Sequence, residues 1–404
     1  MKSLSLKLSL LILILLPGSF SKIFAGTESL KEGLLVASAM ASFVIMVCGQ
    51  KINKSDARKM LMRFACLVIF LMVHGALTIY GANFNTSRFF LSLSFLTFVF
   101  ILWVPIIESI EKARSSDLDV ALCLCYWVLL ADGLLSTVLY MLAGSKTMFF
   151  SSEPSHFALA FLPFLSYMLF RDGSPLHFAG ALFVSIFINN LTLLIGVVLL
   201  VIFHYRHRFV FLMATFTLML LASILSPGYG DYVLGRLTLS ADTDNLTALV
   251  FMSGYERAYV TLVQENILGV GFQQMGFVGP SGELIDAISR VTNGYEANLH
   301  DGGTLASKLI VEFGLFGVAA LVLYLLGLKN IFASGNQLNA TPRARFFASI
   351  YITFICYAFV RGLGYMSPSV FLFIFAAFMR TRFSEIFIKT RVRDFKFSRA
   401  RISS

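Results

Sequence analysis

The chain has 404 residues, of which 57% are hydrophobic and 13% charged, with a net charge of +10 and a mean hydropathy of +0.80. Soluble domains carry about 45–50% apolar and about 25% charged residues, so this composition excludes a soluble globular protein. It describes an integral membrane protein, and repeated apolar runs long enough to cross about 30 Å of hydrocarbon indicate a helical bundle rather than a barrel. The positive charge is no sign of a nucleic-acid partner. Much of it lies in short connections and in the tail after Met379, where eight Lys or Arg stand against Glu385 and Asp394, as the positive-inside rule asks of cytoplasmic segments.

At the N-terminus, Lys2 and Lys7 precede an apolar run from Leu8 to Leu16, which is followed by Pro17, Gly18 and Ala25. This pattern resembles a secretory signal. Read from 4 to 24, the same stretch is an uncleaved first span, which balances the topology that follows. A second span at 33–49 leads into KINKSDARKMLMR, where five basic residues face Asp56 alone, the clearest cytoplasmic loop. Further spans are expected at 64–82, 89–107, 118–143 and 157–170. The run 178–203 is interrupted by Asn189 and Asn190, and reads either as one helix or as two short ones. Two short helices return the HYRHR segment, with Arg206 and Arg208, to the cytoplasm and leave the next long loop outside. Spans at 209–225, 304–328, 346–359 and 370–379 complete about twelve transmembrane or half-membrane segments, with both termini cytoplasmic.

The expected organisation is therefore an all-α polytopic membrane protein with spans in 1–225 and 304–380, one large outer loop at 226–303 containing short amphipathic helices, and a basic tail at 381–404. Loops longer than about 15 residues are usually folded functional elements. The five cysteines, Cys48, Cys66, Cys123, Cys125 and Cys356, all fall in apolar runs and read as buried thiols. No HExxH, paired CxxC or nucleophile elbow occurs, so metal and serine-hydrolase chemistry lack sequence support. The glycines of GVGFQQMGFVGPSG lack the preceding strand and following Lys-Ser or Lys-Thr of a phosphate loop.

Chemistry is sought in or facing the outer loop. Arg257 lies in SGYERAYVTL, an amphipathic helix in which Tyr255, Tyr259, Leu262 and Val263 can share one face. It can turn toward lipid phosphates, whose oxygens suit the guanidinium fork, or sit in solvent paired with Glu256 or Glu265. Arg361, at the outer end of a span, needs a partner or a wet cavity, or else snorkels to head groups. SSEPSHFAL sets Glu153 and His156 at the mouth of another span. Ser155 can cap the helix there, and the carboxylate and imidazole can supply a general base. His300, with Asp301 to orient it, is a second candidate base or sugar-binding group, or an incidental loop histidine. Lys308, one turn into the next span, requires an anion or a water path.

Four segments, SSEPSHFALAFLPF, SGYERAYVTLVQENILGVGFQQMG, DGGTLASKLIVEFGLFG and FVRGLGYMSPSVFLFIFAAF, together resemble the O-antigen polymerase family, the Wzy-type inner-membrane glycosyltransferases. The resemblance implies a GT-C-like fold and a metal-independent enzyme without a cofactor. It implies transfer of a growing glycan from undecaprenyl diphosphate to a second lipid-linked repeat unit at the periplasmic face of the bacterial inner membrane. Membrane lipids and a chain-length regulator protein are the implied partners. On this view Arg257, Arg361, Lys308 and Tyr255 bind substrate, and Glu153 with His156, or His300, provides the base. Related ligases, which pass finished glycan to lipid A core, typically carry a histidine followed by Asn. Here Asp301 and Gly302 follow His300, which favours the polymerase. A transporter of lipid-linked glycan is the non-enzymatic alternative, expected to show inverted repeats and mid-span ionisable groups.

Overall fold

The computed structural model describes residues 2–23, 30–48, 54–79, 84–144, 146–205, 235, 240, 243–279, 281–294, 299–334 and 341–378. The expected span at 209–225 and the basic tail lie outside the described residues. Eight helices open the chain: α1 (Lys2–Ile23), α2 (Leu30–Val47), α3 (Lys54–Thr78), α4 (Thr86–Lys112), α5 (Ser115–Ala143), α6 (Pro154–Asp172), α7 (Pro175–Phe187) and α8 (Leu191–Tyr205). In the second half lie α9 (Leu246–Val260), which continues as a π turn at Thr261–Glu265, and α10 (Glu283–Val291). They are followed by α11 (Leu305–Phe313), α12 (Leu315–Ser334), α13 (Pro342–Phe359) and α14 (Pro368–Phe378). Among the described residues six helices are long and apolar enough to cross a membrane: those built on α1 to α5 and on α12.

Small residues let the first two helices touch. A Cβ added at Gly33 would lie 2.4 Å from the Pro17 carbonyl oxygen, the close approach that packs helices in lipid. Ser9 donates to the Ala41 carbonyl and Trp103 Nε1 to Ser38 Oγ, which ties α1, α2 and α4. An aromatic column of Phe64, Phe100 and Phe375 joins α3 and α4 to α14, with centroids 3.8 and 4.8 Å apart. Outward, Phe43, Ile69, Leu91, Leu142 and Leu323 remain exposed, as side chains facing lipid are. Cys66 is also exposed, so the expectation that all five thiols are buried is corrected.

The run 178–203 forms two helices, not one. Asn189, at a φ of 55°, turns the chain. At this turn Asn190 Nδ2 donates to the Pro154 carbonyl at 2.6 Å, and Asn189 Nδ2 lies 3.4 Å from Tyr140 Oη. The end of α7 and the start of α8 thus meet the end of α5 and the start of α6. The other ends reach the opposite face of the bundle: His177 bonds Asp172 and Tyr126, and the His204 ring sits 4.3 Å from Phe170.

The expected single span 304–328 is corrected to two helices broken at Gly314, whose φ and ψ are 54° and −128°. The final carbonyls of α11 turn away from their own helix. Val311 O accepts from Val270 N at 3.0 Å and Glu312 O from Gly271 N at 2.9 Å. A Cβ on Gly314 would meet Ile267 O at 2.0 Å, and one on Gly269 would meet Gly314 N at 2.6 Å. The glycine-rich stretch therefore serves close backbone packing.

Several arginines gather at one end of the bundle. Arg63 donates to Phe378 O, Arg343 to Ala113 O, Arg171 pairs with Asp119, and Arg345 lies over Tyr167. All are at the end opposite the Asn189 turn, which carries instead α9, α10 and the turns around them. This second body has its own small core of Leu249, Val250, Ile285, Ala287 and Ile288.

Candidate functional site

At the Asn189 end a cavity of about 430 Å³ opens between the α7–α8 turn, the start of α6, the first half of α9 and the end of α13. Its lining includes the polar Glu153, Arg361, Lys146, Asn189 and Asn190 and the apolar Leu191, Ile195, Phe251, Phe359 and Val360. Pro154 starts α6 and leaves Glu153 as the N-cap, in extended conformation and without a side-chain capping bond. Its carboxylate is thus available: Oε2 accepts from Ser155 Oγ at 3.0 Å, and Arg361 Nη2 approaches it at 3.5 Å. Ser155 therefore does not cap the helix, as its sequence position suggested, but serves Glu153. His156 Nε2 lies 3.7 Å from the same oxygen, while its Nδ1 meets Ser152 Oγ at 2.6 Å. The imidazole faces a separate hollow of about 60 Å³ shared with Gly18, Ser151 and Ser367. Burial raises the Glu153 pKa, but His156 and Arg361 outweigh it and hold the carboxyl below its ordinary value.

Arg257 lies elsewhere. It is 2% exposed and its Nη1 donates to the Leu299 carbonyl. Val250, Gly254 and Arg257 form one face of α9, packed on the turn at 299–303, where a Cβ on Gly254 would lie 2.0 Å from Gly302 O. The expectation that Arg257 turns toward lipid phosphates or sits in solvent is corrected; Glu256 beside it accepts from Glu283 and Leu284 N at the start of α10. Arg257 is not among the residues around the cavity that holds Arg361. On the far side of α9 the aromatic Tyr259 and the aliphatic Val263 are exposed. Tyr255 faces inward and bonds the Thr304 side chain; burial, only partly opposed by that bond, pushes its phenol pKa up.

Lys308, fully buried, donates to His300 O and Asp301 Oδ1, and stands 3.4 Å from Glu312 Oε1. Glu312 in turn accepts from Gln273 N at 2.9 Å. This internal network answers the need for an anion at Lys308. Asp301 therefore serves Lys308 rather than orienting the imidazole. His300 Nδ1 lies 3.2 Å from Met275 O, and its ring stacks on Phe277, whose ring is also covered by the Arg88 guanidinium at 4.6 Å. Burial lowers the His300 pKa, with Arg88 and Lys308 adding to the shift over the opposing Met275 carbonyl and Asp301. Partial burial raises that of Asp301, but Lys308, Lys31 and Arg88 outweigh it and hold the carboxyl low.

The structure thus brings Glu153 and Arg361 together on one cavity, with His156 behind them, and gathers Arg257, Lys308 and His300 around a neighbouring turn. Lys146, Asn189, Asn190 and Phe251 are cavity residues that sequence reasoning did not select. For Asn189 and Asn190 the available signal was two adjacent amides inside an apolar run. Among the described residues no group of three or more His, Cys, Asp or Glu is placed to hold a metal ion. No family model matches the chain, and neither the curated proteins nor the solved structures provide a match.

Proposed function

We propose that the chain is a glycosyltransferase of the O-antigen polymerase type, which extends a lipid-linked glycan at the periplasmic face of a bacterial inner membrane. The observation that carries this reading is the cavity of about 430 Å³, lined both by the charged Arg361 and Glu153 and by the apolar Leu191, Ile195, Phe359 and Val360. An amphiphile with a phosphorylated head and a prenyl tail matches this mixed lining. The clustering of Arg63, Arg171, Arg343 and Arg345 at the opposite end supports a cytoplasmic location for that end and a periplasmic one for the cavity. The twelve-segment arrangement with both termini in the cytoplasm is part of the same proposal.

In the proposed reaction an acceptor hydroxyl attacks the anomeric carbon of the donor sugar. The new C–O bond forms as the bond to the diphosphate oxygen breaks, and the electron pair leaves with the lipid diphosphate. Arg361, with Lys146 nearby, balances the charge that grows on the leaving group. Glu153 takes the hydroxyl proton. Arg257 and Lys308 hold the neighbouring turn in place instead of binding substrate.

The test is reconstitution in liposomes with an undecaprenyl-diphosphate-linked repeat unit, reading product length by mass spectrometry. Arg361→Ala and Glu153→Gln should each cut extension by about 100-fold or more, the scale of one lost electrostatic or acid–base group. Normal extension by Arg361→Ala would remove the cavity from the reaction. Movement of the lipid across the bilayer without extension would assign the chain to transport.

A further inference from the structure

Glu153 and Arg361 are 208 residues apart in sequence and meet at the cavity by a single contact of 3.5 Å between Nη2 and Oε2. A strong guanidinium–carboxylate pair is bidentate and close to 2.8 Å, and this one is neither. The carboxylate is half exposed, so the pair is inexpensive to break: ion pairs in such settings hold weakly. A diphosphate offers the same fork two oxygens and more charge. Resting on the glycosyl-transfer reading, we infer that Glu153 is an internal stand-in for the substrate diphosphate on Arg361: the arriving donor displaces the carboxylate, and the released carboxylate then takes the proton of the attacking hydroxyl.

The carboxylate is not stranded by this exchange. Ser155 Oγ at 3.0 Å and His156 Nε2 at 3.7 Å lie on the same first turn of α6 and stay beside it. Arg361 is likewise anchored from behind, its backbone N–H donating to Cys356 O at 3.0 Å. The groups facing Glu153 are therefore Arg361, His156 and Ser155, with Lys146 also on the cavity wall. Among the three neighbours that hold the Glu153 carboxyl acidic, His156, Arg361 and Ser155, only Arg361 is drawn off by a bound anion. Donor binding then makes Glu153 a better base just when a base is needed, and it orders the reaction: donor first, acceptor second. Until a donor arrives, the ion pair keeps the carboxylate from activating water or an early acceptor.

The exchange predicts that removing the competitor improves binding. The full chain in nanodiscs, with EDTA present, is titrated with farnesyl diphosphate, and with inorganic diphosphate to separate head-group from tail recognition. Glu153→Gln should bind farnesyl diphosphate about three- to tenfold more tightly than wild type, since a weak competing pair and a like charge are both lost. Glu153→Ala should do the same, which guards against a new hydrogen bond from the amide, and a thermal melt confirms that each variant is folded. Arg361→Ala should lose at least about tenfold of the wild-type affinity. Unchanged or weaker binding by both Glu153 variants, with binding still dependent on Arg361, overturns the exchange and leaves the glycosyl-transfer reading standing. Wild-type binding that is absent, or indifferent to Arg361, overturns both.

Discussion

Arg257 and Lys308 come from different helices and grip neighbouring carbonyls of one turn: Arg257 Nη1 donates to Leu299 O and Lys308 Nζ to His300 O. Both cations are nearly or fully buried. Both hydrogen-bond the backbone that carries His300 and Asp301, and Lys308 also pairs with the Asp301 and Glu312 carboxylates, so their first role is architectural.

Arg257→Ala should therefore destabilise the protein by about 3 kcal/mol, the scale of a buried charge-assisted bond left without its donor. Lys308→Met should cost at least as much, because Asp301 and Glu312 lose their cation. Thermal unfolding in detergent measures both. An Arg257→Ala protein that melts within about 1 °C of wild type yet has lost activity would return Arg257 to the substrate.

The break between α11 and α12 gives a second prediction. Gly314→Ala forces a Cβ into the Ile267 carbonyl at a left-handed φ, and should lower stability by about 3 kcal/mol or more. Gly144, also left-handed but with nothing within 4 Å of an added Cβ, is the control, and its replacement by Ala should cost only about 1 kcal/mol. Equal losses at the two positions would show that packing at the break contributes nothing.

His300 supplies a pH dependence. Its pKa is lowered in the fold, by burial and then by Arg88 and Lys308, so the unfolded chain binds the proton more readily. Stability from this group is present above the ordinary histidine value of about 6.5 and is lost as pH falls through the folded value. The melting-temperature advantage of wild type over His300→Gln should therefore shrink between about pH 7 and pH 5. An advantage that stays flat or grows would contradict the environment described for this ring. Asp301, also lowered, acts in the same direction but below about pH 4.

The α7–α8 turn gives the topology experiment. A phosphatase active only outside the cytoplasm should be active when fused after Asn189 and inactive when fused after Arg208. Activity after Arg208 would contradict the helical hairpin. Asn190→Ala should cost about 1 kcal/mol, since its Oδ1 accepts from Leu193 N at 3.1 Å and its Nδ2 holds Pro154 O.

Legibility followed the range of the forces involved. Helices α3 to α6 were readable because each is a long apolar run, and the α7–α8 pair because Asn189 and Asn190 interrupt one. Gly314 was hidden inside an equally apolar run: what breaks the helix there is the loan of the Val311 and Glu312 carbonyls to residues about 40 positions earlier. The inward turn of Arg257 was likewise invisible, since Tyr259 and Val263 made the opposite face look like the packed one. Glu153 and Arg361 were each chosen from local context. Their meeting depends on where α6 and α13 end, and no local pattern encodes that.

The loan of those two carbonyls bears on protein engineering. The region 243–303 has the look of a compact unit that could be excised for crystallisation or antibody production. Cutting it away would leave Val270 and Gly271 with unmet amide protons and α11 with raw carbonyl ends, and would open the contact of Ala258, Val270 and Met275 with Val311. Recombinant fragments intended to display this region should therefore extend to Gly314 and remain in detergent.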